Sequence, residues 1–185
     1  SVEELGFPPS PMHRGNRKTV KRPRVPKKEP RRASLEDVRT LIDSIPRGAW
    51  LDLRNRALIQ LMLDTGLRVN EATNLLVADV DLNNHILLVR SGKGDKDRRV
   101  PFSDKSSKEL AAYLLYRPAC PPKVAHYLFV GSMNGSANVR GRLTGSGVSQ
   151  LLERLCKAAN LPKINPHSIR HLFGLKALND GVRVE

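Results

Sequence analysis

The stretch DTGLRVNEATNLLVADVDL (64–82) decides the reading of this chain. Upstream of it, Ala57, Leu58, Leu61 and Met62 fall on one face at helical spacing, so a helix is expected from about Leu53 to Asp64. Gly66 stands where a glycine in the left-handed conformation closes such a helix. A short helix is expected over Val69–Leu76. Arg68 sits at the break between the two. An arginine there either caps a helix end or points into a site. Glu71, three residues on, can hold its guanidinium in place. Taken alone, the pair also fits an exposed ion pair worth at most ~1 kcal/mol.

Further along, HILLV (85–89) and RRVPF (98–102) are strand-like and are joined through GKGDK (92–96), whose glycines permit a tight reversal. Lys93 lies at the tip of that turn, where glycine on both sides allows a backbone phosphate to come close. Lys96, Arg98 and Arg99 belong to the same hairpin, which read alone is a basic hairpin touching DNA. The segment lacks GxxxxGK[ST] and leads into a strand, which excludes an ATP-binding phosphate loop.

The third segment is NPHSIRHLF (165–173), with Pro166 placed to open a helix and Gly181 to close it. His167 and Arg170 are three apart and share a face at the helix N-terminus, where partial positive charge and free N–H groups favour an oxyanion. Arg170 offers a planar fork for two phosphate oxygens, and His167 an imidazole suited to proton transfer near neutral pH. His171 reads as a packing or hydrogen-bonding residue.

The rest fills in a mainly helical fold with a small antiparallel β-sheet. Ser34 and Asp37 have capping-box spacing ahead of Leu35, Val38, Leu41, Ile42 and Ile45, predicting a helix over 34–45. Further helices are expected at 106–116, 148–159 and 167–179, a strand at 127–130 and a loop at 131–141. The histidines at 13, 85, 126, 167 and 171 are scattered without an acidic pair, so no metal site is expected. Cys120 and Cys156 read as two reduced thiols.

Of 185 residues 39% are hydrophobic and the net charge is +14, which points to a polyanionic partner, nucleic acid first and an anionic membrane surface second. No apolar run reaches the ~20 residues of a membrane span. Half of the net charge falls in residues 1–32, where ten Lys and Arg stand against three Glu. Repeated proline in VKRPRVPKKEPRR (20–32) predicts an extended, solvated linker. Lys18, just ahead of that segment, and Lys21, Arg22, Arg24, Lys27 and Lys28 within it are expected to track DNA phosphates. A plain solubilising linker is the simpler alternative.

TGLRVNEATNLLVADVDL, GKGDKDRRVPF and NPHSIRHLFGLKAL, in this order, resemble the first arginine box, the β-hairpin lysine and the H-x-x-R box of the tyrosine recombinases, the phage-integrase and Xer family. The resemblance covers roughly residues 20–180. It implies the DNA breaking-rejoining catalytic fold and a 3′-phosphotyrosyl intermediate formed on duplex DNA without metal or other cofactor. Arg68 and Arg170 would hold the non-bridging oxygens, His167 would assist proton transfer, Lys93 would protonate the 5′-oxygen, and Glu71, with His171, would support them. The resemblance further implies a core DNA site, a DNA-dependent tetramer for the intact protein, and a cytoplasmic bacterial or phage-borne setting. Tyr113, Tyr116 and Tyr127 all precede the H-x-x-R box, so no tyrosine matches the family's nucleophile. The expectation is therefore a linker over 1–32 and a catalytic domain over 33–185 without its nucleophile segment. The alternative is a DNA-binding module that keeps the fold without the chemistry.

Overall fold

The computed structural model describes residues 32–90, 96–132 and 139–179. The six helices found there are α1 Leu35–Ser44, α2 Trp50–Thr65, α3 Val69–Asn74, α4 Asp104–Tyr116, α5 Gly145–Ala158 and α6 Pro166–Asn179. The strands are β1 Val80–Asp81, β2 Ile86–Val89, β3 Arg98–Pro101, β4 Val130–Ser132 and β5 Val139–Arg142. The mainly helical architecture with small antiparallel sheets follows the expectation from periodicity. No helix among the described residues is long and apolar enough to cross a membrane.

Helix α2 is the axis of the fold, with α4, α6 and α1 packed around it. Ala57, Leu58, Ile59, Leu61 and Met62 are all essentially without exposed surface, and burying each large aliphatic side chain contributes about 2 kcal/mol. The helix begins at Trp50, earlier than its apolar periodicity predicts, and its polar residues are buried as well. Arg54 donates to the Val130 carbonyl at 2.8 Å and to Asn55 Oδ1, tying α2 to β4. Burial lowers its guanidinium to about 10, so it stays charged at neutral pH.

Arg56, 3% exposed, makes two bonds to Glu109 of α4, at 3.1 and 3.0 Å. Its remaining donors reach the carbonyls of Ile42 and Ile45 at the end of α1. One side chain thus binds the last carbonyls of α1 and neutralises a buried carboxylate of α4. Arg47 closes on Glu109 from the solvent side at 2.7 Å.

Helix α1 carries the capping box predicted for it, Asp37 N–H to Ser34 Oγ at 3.1 Å and Ser34 N–H to Asp37 Oδ2 at 2.7 Å. Strand order in the larger sheet is β1-β2-β3, antiparallel throughout, with Leu87 opposite Val100 and Val89 opposite Arg98. The stretch expected as a loop at 131–141 instead contributes to β4 and β5, which pair as a hairpin with a register shift at Gly131/Ser132. The strand expected at 127–130 begins only at Val130, and Tyr127 forms an isolated bridge to Leu76. Glycine and serine have weak strand preference; the pairing of β4 with β5 and the Arg54 bond to Val130 hold these strands.

Candidate phosphate-binding site

The break between α2 and α3 is set by Gly66, whose φ of +63° is left-handed and whose N–H closes α2 on the Met62 carbonyl at 3.0 Å. A Cβ at this position would overlap the ring of Phe173 on α6. The glycine therefore serves both the turn and the approach of α6. Arg170, one helical turn before Phe173, donates to the Gly66 carbonyl. Segments about a hundred residues apart meet here.

Arg68 starts α3, with its side chain 63% exposed. Its backbone N–H donates to Glu71 Oε2 at 2.7 Å, while its guanidinium makes one longer bond to Oε1 at 3.3 Å. Arg98 of β3 is the stronger side-chain partner, reaching both carboxylate oxygens at 3.1 and 3.0 Å. Burial alone would raise the Glu71 carboxyl. The bonds and charge of Arg98, with the backbone N–H of Arg68, outweigh it and hold the group below the usual glutamate range. Glu71 thus grips the chain at Arg68 and the strand at Arg98 and leaves the Arg68 guanidinium largely free.

Helix α6 is capped by Asn165, whose Oδ1 accepts from Ser168 N–H at 2.9 Å, while Asn165 N–H donates back to Ser168 Oγ at 2.9 Å. His167 and His171 are exposed on this helix, His167 in its first turn. Arg99 is exposed on β3 and Lys96 is exposed just before it. Arg90, at the other foot of the hairpin, is bound to the buried Asp79 at 2.8 Å. Lys93, and the leader residues Lys18, Lys21, Arg22, Arg24, Lys27 and Lys28, lie outside the described residues.

The fold therefore brings together Arg68, Glu71, Arg98 and Arg170, with His167 at the head of the same helix as Arg170. Two guanidiniums, those of Arg68 and Arg98, meet the Glu71 carboxylate, and a third, that of Arg170, is held on the Gly66 carbonyl of the adjoining turn; an exposed arginine fork such as that of Arg68 suits an anion with several oxygens. Sequence reasoning missed Arg142, which donates to Asn74 of α3, and the packing of α5 on α3. There a Cβ on Gly145 would come within 3.1 Å of Asn70 Oδ1. Arg142 lies just past the stretch read as a loop and gave no signal. The Asn165 cap was legible as an asparagine ahead of a helix-opening proline. Among the described residues no three His, Cys, Asp or Glu cluster as a metal site would need.

The phage integrase family model matches residues 31–185. The tyrosine recombinase XerA of Pyrococcus furiosus is 33% identical over 165 residues, covering 89% of this chain and 54% of XerA. A crystal structure of XerA recombinase superposes with a TM-score of 0.71 at 34% identity, over 88% of this chain and 54% of that one. The XerH site-specific recombinase bound to its difH substrate in a pre-cleavage complex gives a TM-score of 0.63 at 29% identity, over 82% of this chain and 44% of XerH. The chain spans about half the length of the curated relatives it matches.

Proposed function

Because the chain belongs to the phage integrase family, we propose that it forms the phosphate-activating part of a site-specific recombinase that cuts and rejoins duplex DNA through a 3′-phosphotyrosyl intermediate. Arg68 and Arg170 hold the non-bridging oxygens of the scissile phosphate. In-line attack adds negative charge to those oxygens, and the two guanidiniums stabilise it. His167 assists proton transfer at the attacking hydroxyl, and Lys93 donates a proton to the departing 5′-oxygen. Glu71 keeps Arg68 in register, and His171 supports the same face. Lys96 and Arg99, with the leader cations, contact the DNA backbone.

None of the three tyrosines in this sequence is assigned the attacking role. Tyr113 is buried and donates its hydroxyl to the Leu128 carbonyl at 3.0 Å. Tyr116 lies at the end of α4, and Tyr127 pairs with Leu76.

The observation that carries this reading is the Arg170 bond to Gly66, which sets the H-x-x-R helix against the turn bearing Arg68. The test supplies the chain with nicked core-site DNA and a second polypeptide bearing the family's C-terminal tyrosine segment. A covalent DNA adduct on the second polypeptide is expected, and Arg170→Ala should abolish it. DNA binding with no adduct under any condition, and unchanged binding by Arg170→Ala, would instead leave a DNA-binding module without chemistry.

A further inference from the structure

We propose that Arg98 is a positioning residue for the strand-cleavage reaction, acting through Glu71 on the placement of Arg68, and is not a DNA contact. The inference rests on the cleavage reading above.

Arg98 uses both terminal guanidinium nitrogens on Glu71, at 3.1 and 3.0 Å, and its side chain is 39% exposed, against 63% for Arg68. A fork closed on a carboxylate has little left for a phosphate. Arg68, by contrast, contributes a single 3.3 Å side-chain bond to the same carboxylate. When a phosphate arrives, Arg68 can turn toward it at small cost, because Arg98 keeps Glu71 neutralised. Without Arg98, Glu71 has only Arg68 to pair with and competes with the phosphate for it. The same clamp joins β3 to the first residues of α3. It therefore sets the distance between that strand and the arginine turn. Misplacing a reacting group by an ångström costs roughly a hundredfold in rate.

Among the described residues, two charged side chains are bonded to Glu71. Arg98 faces it from β3 and Arg68 from the head of its own helix. Arg142 of β5 meets α3 at Asn74, and Arg170 of α6 meets the preceding turn at Gly66. With Arg98 removed, burial of the Glu71 carboxyl is less opposed and its pKa should rise.

The complemented cleavage assay separates the possibilities. Arg98→Ala should lower the cleavage rate roughly ten- to a hundredfold and move the acid limb of the pH–rate profile to higher pH. Arg98→Lys, which keeps the charge without the fork, should recover part of the rate. Carboxyl NMR titration of Glu71 in the chain itself should show its pKa raised by Arg98→Ala. A DNA-contact role predicts instead a salt slope reduced by about one with the acid limb unmoved, and that result overturns the proposal. So does a failure of both variants to fold, which would make Arg98 purely structural. If Arg170→Ala abolishes cleavage while Arg98→Ala cleaves like the parent, the Arg98 inference fails and the cleavage reading stands. If the unsubstituted chain forms no adduct under any condition, the cleavage reading itself has failed.

Discussion

Arg170 is bound to the backbone carbonyl of Gly66, and Phe173, one turn further along α6, covers the same glycine. The turn carrying Arg68 and the helix carrying His167 are thus pressed together at a residue that tolerates no side chain. Gly66→Ala forces an L-residue into the left-handed region and drives a methyl into the Phe173 ring. The expected loss is at least ~2 kcal/mol, read as a lower urea midpoint at unchanged slope. Adding Phe173→Leu should return part of it, and a double variant no better than the single would count against the steric account.

The Arg56–Glu109 pair predicts an asymmetric pattern of losses. Glu109→Ala leaves a buried guanidinium without its carboxylate and should cost about 3–5 kcal/mol. Replacing both residues together, as Arg56→Met with Glu109→Leu, should cost less than the single change. The double variant still loses the bonds from Arg56 to Ile42 and Ile45, so full recovery is not expected. Chemical denaturation of the two variants checks this.

Acid should destabilise the fold through Glu109 and Glu71. Burial of Glu109 would raise its carboxyl, but the bonds and charge of Arg56, with the charge of Arg47, hold it below the ordinary range. A folded pKa below the unfolded value of about 4.3 makes the stabilisation complete above that value. It is lost as pH falls through the folded pKa. The melting temperature should be level from about pH 7 to 5 and drop below about pH 4. Glu109→Gln should flatten that drop.

Residues 1–32 hold ten Lys and Arg, each able to release counterions on meeting a phosphate. Their removal should reduce the slope of log K against log salt on duplex DNA by several units, up to roughly 0.9 for each phosphate no longer neutralised. An unchanged slope would leave the leader as a solubilising linker. Liposome binding tighter than DNA binding at equal salt would point to a membrane partner instead.

Lys93→Ala should slow cleavage by roughly 10²–10⁴-fold if the ammonium acts as general acid. A 5′-bridging sulfur leaves without needing a proton, so a phosphorothiolate substrate should restore most of the rate. Equal slowing on both substrates would reduce Lys93 to a contact residue.

What the sequence disclosed was local. The Ser34–Asp37 cap, the helix stop at Gly66 and the opening proline of α6 depend on neighbours within a turn, and each is found where spacing predicts it. The Arg68–Glu71 relation was also visible as a three-residue interval, but its weighting was not. The partner that holds Glu71 most firmly, Arg98, is 27 residues away and read as a DNA contact. Arg56 and Glu109, 53 residues apart, gave no sign of being buried, since charge ordinarily marks a solvated face. The β4–β5 hairpin was missed because Gly131, Ser132 and Gly141 owe their strand geometry to tertiary pairing and not to preference.

The neighbouring arginines at 98 and 99 have opposite fates because β3 alternates half-buried and exposed positions from Arg98 to Pro101. A slip of one residue along β2 would bring Arg99 to Glu71 and turn Arg98 outward, so the doublet by itself accepts either alignment. Val100 does not, since the slip would turn it from the half-buried face toward water. The apolar residue beside the doublet, opposite Leu87, therefore chooses which arginine is the clamp. Length changes in the turn ahead of β3 can be absorbed only in ways that leave Val100 facing inward.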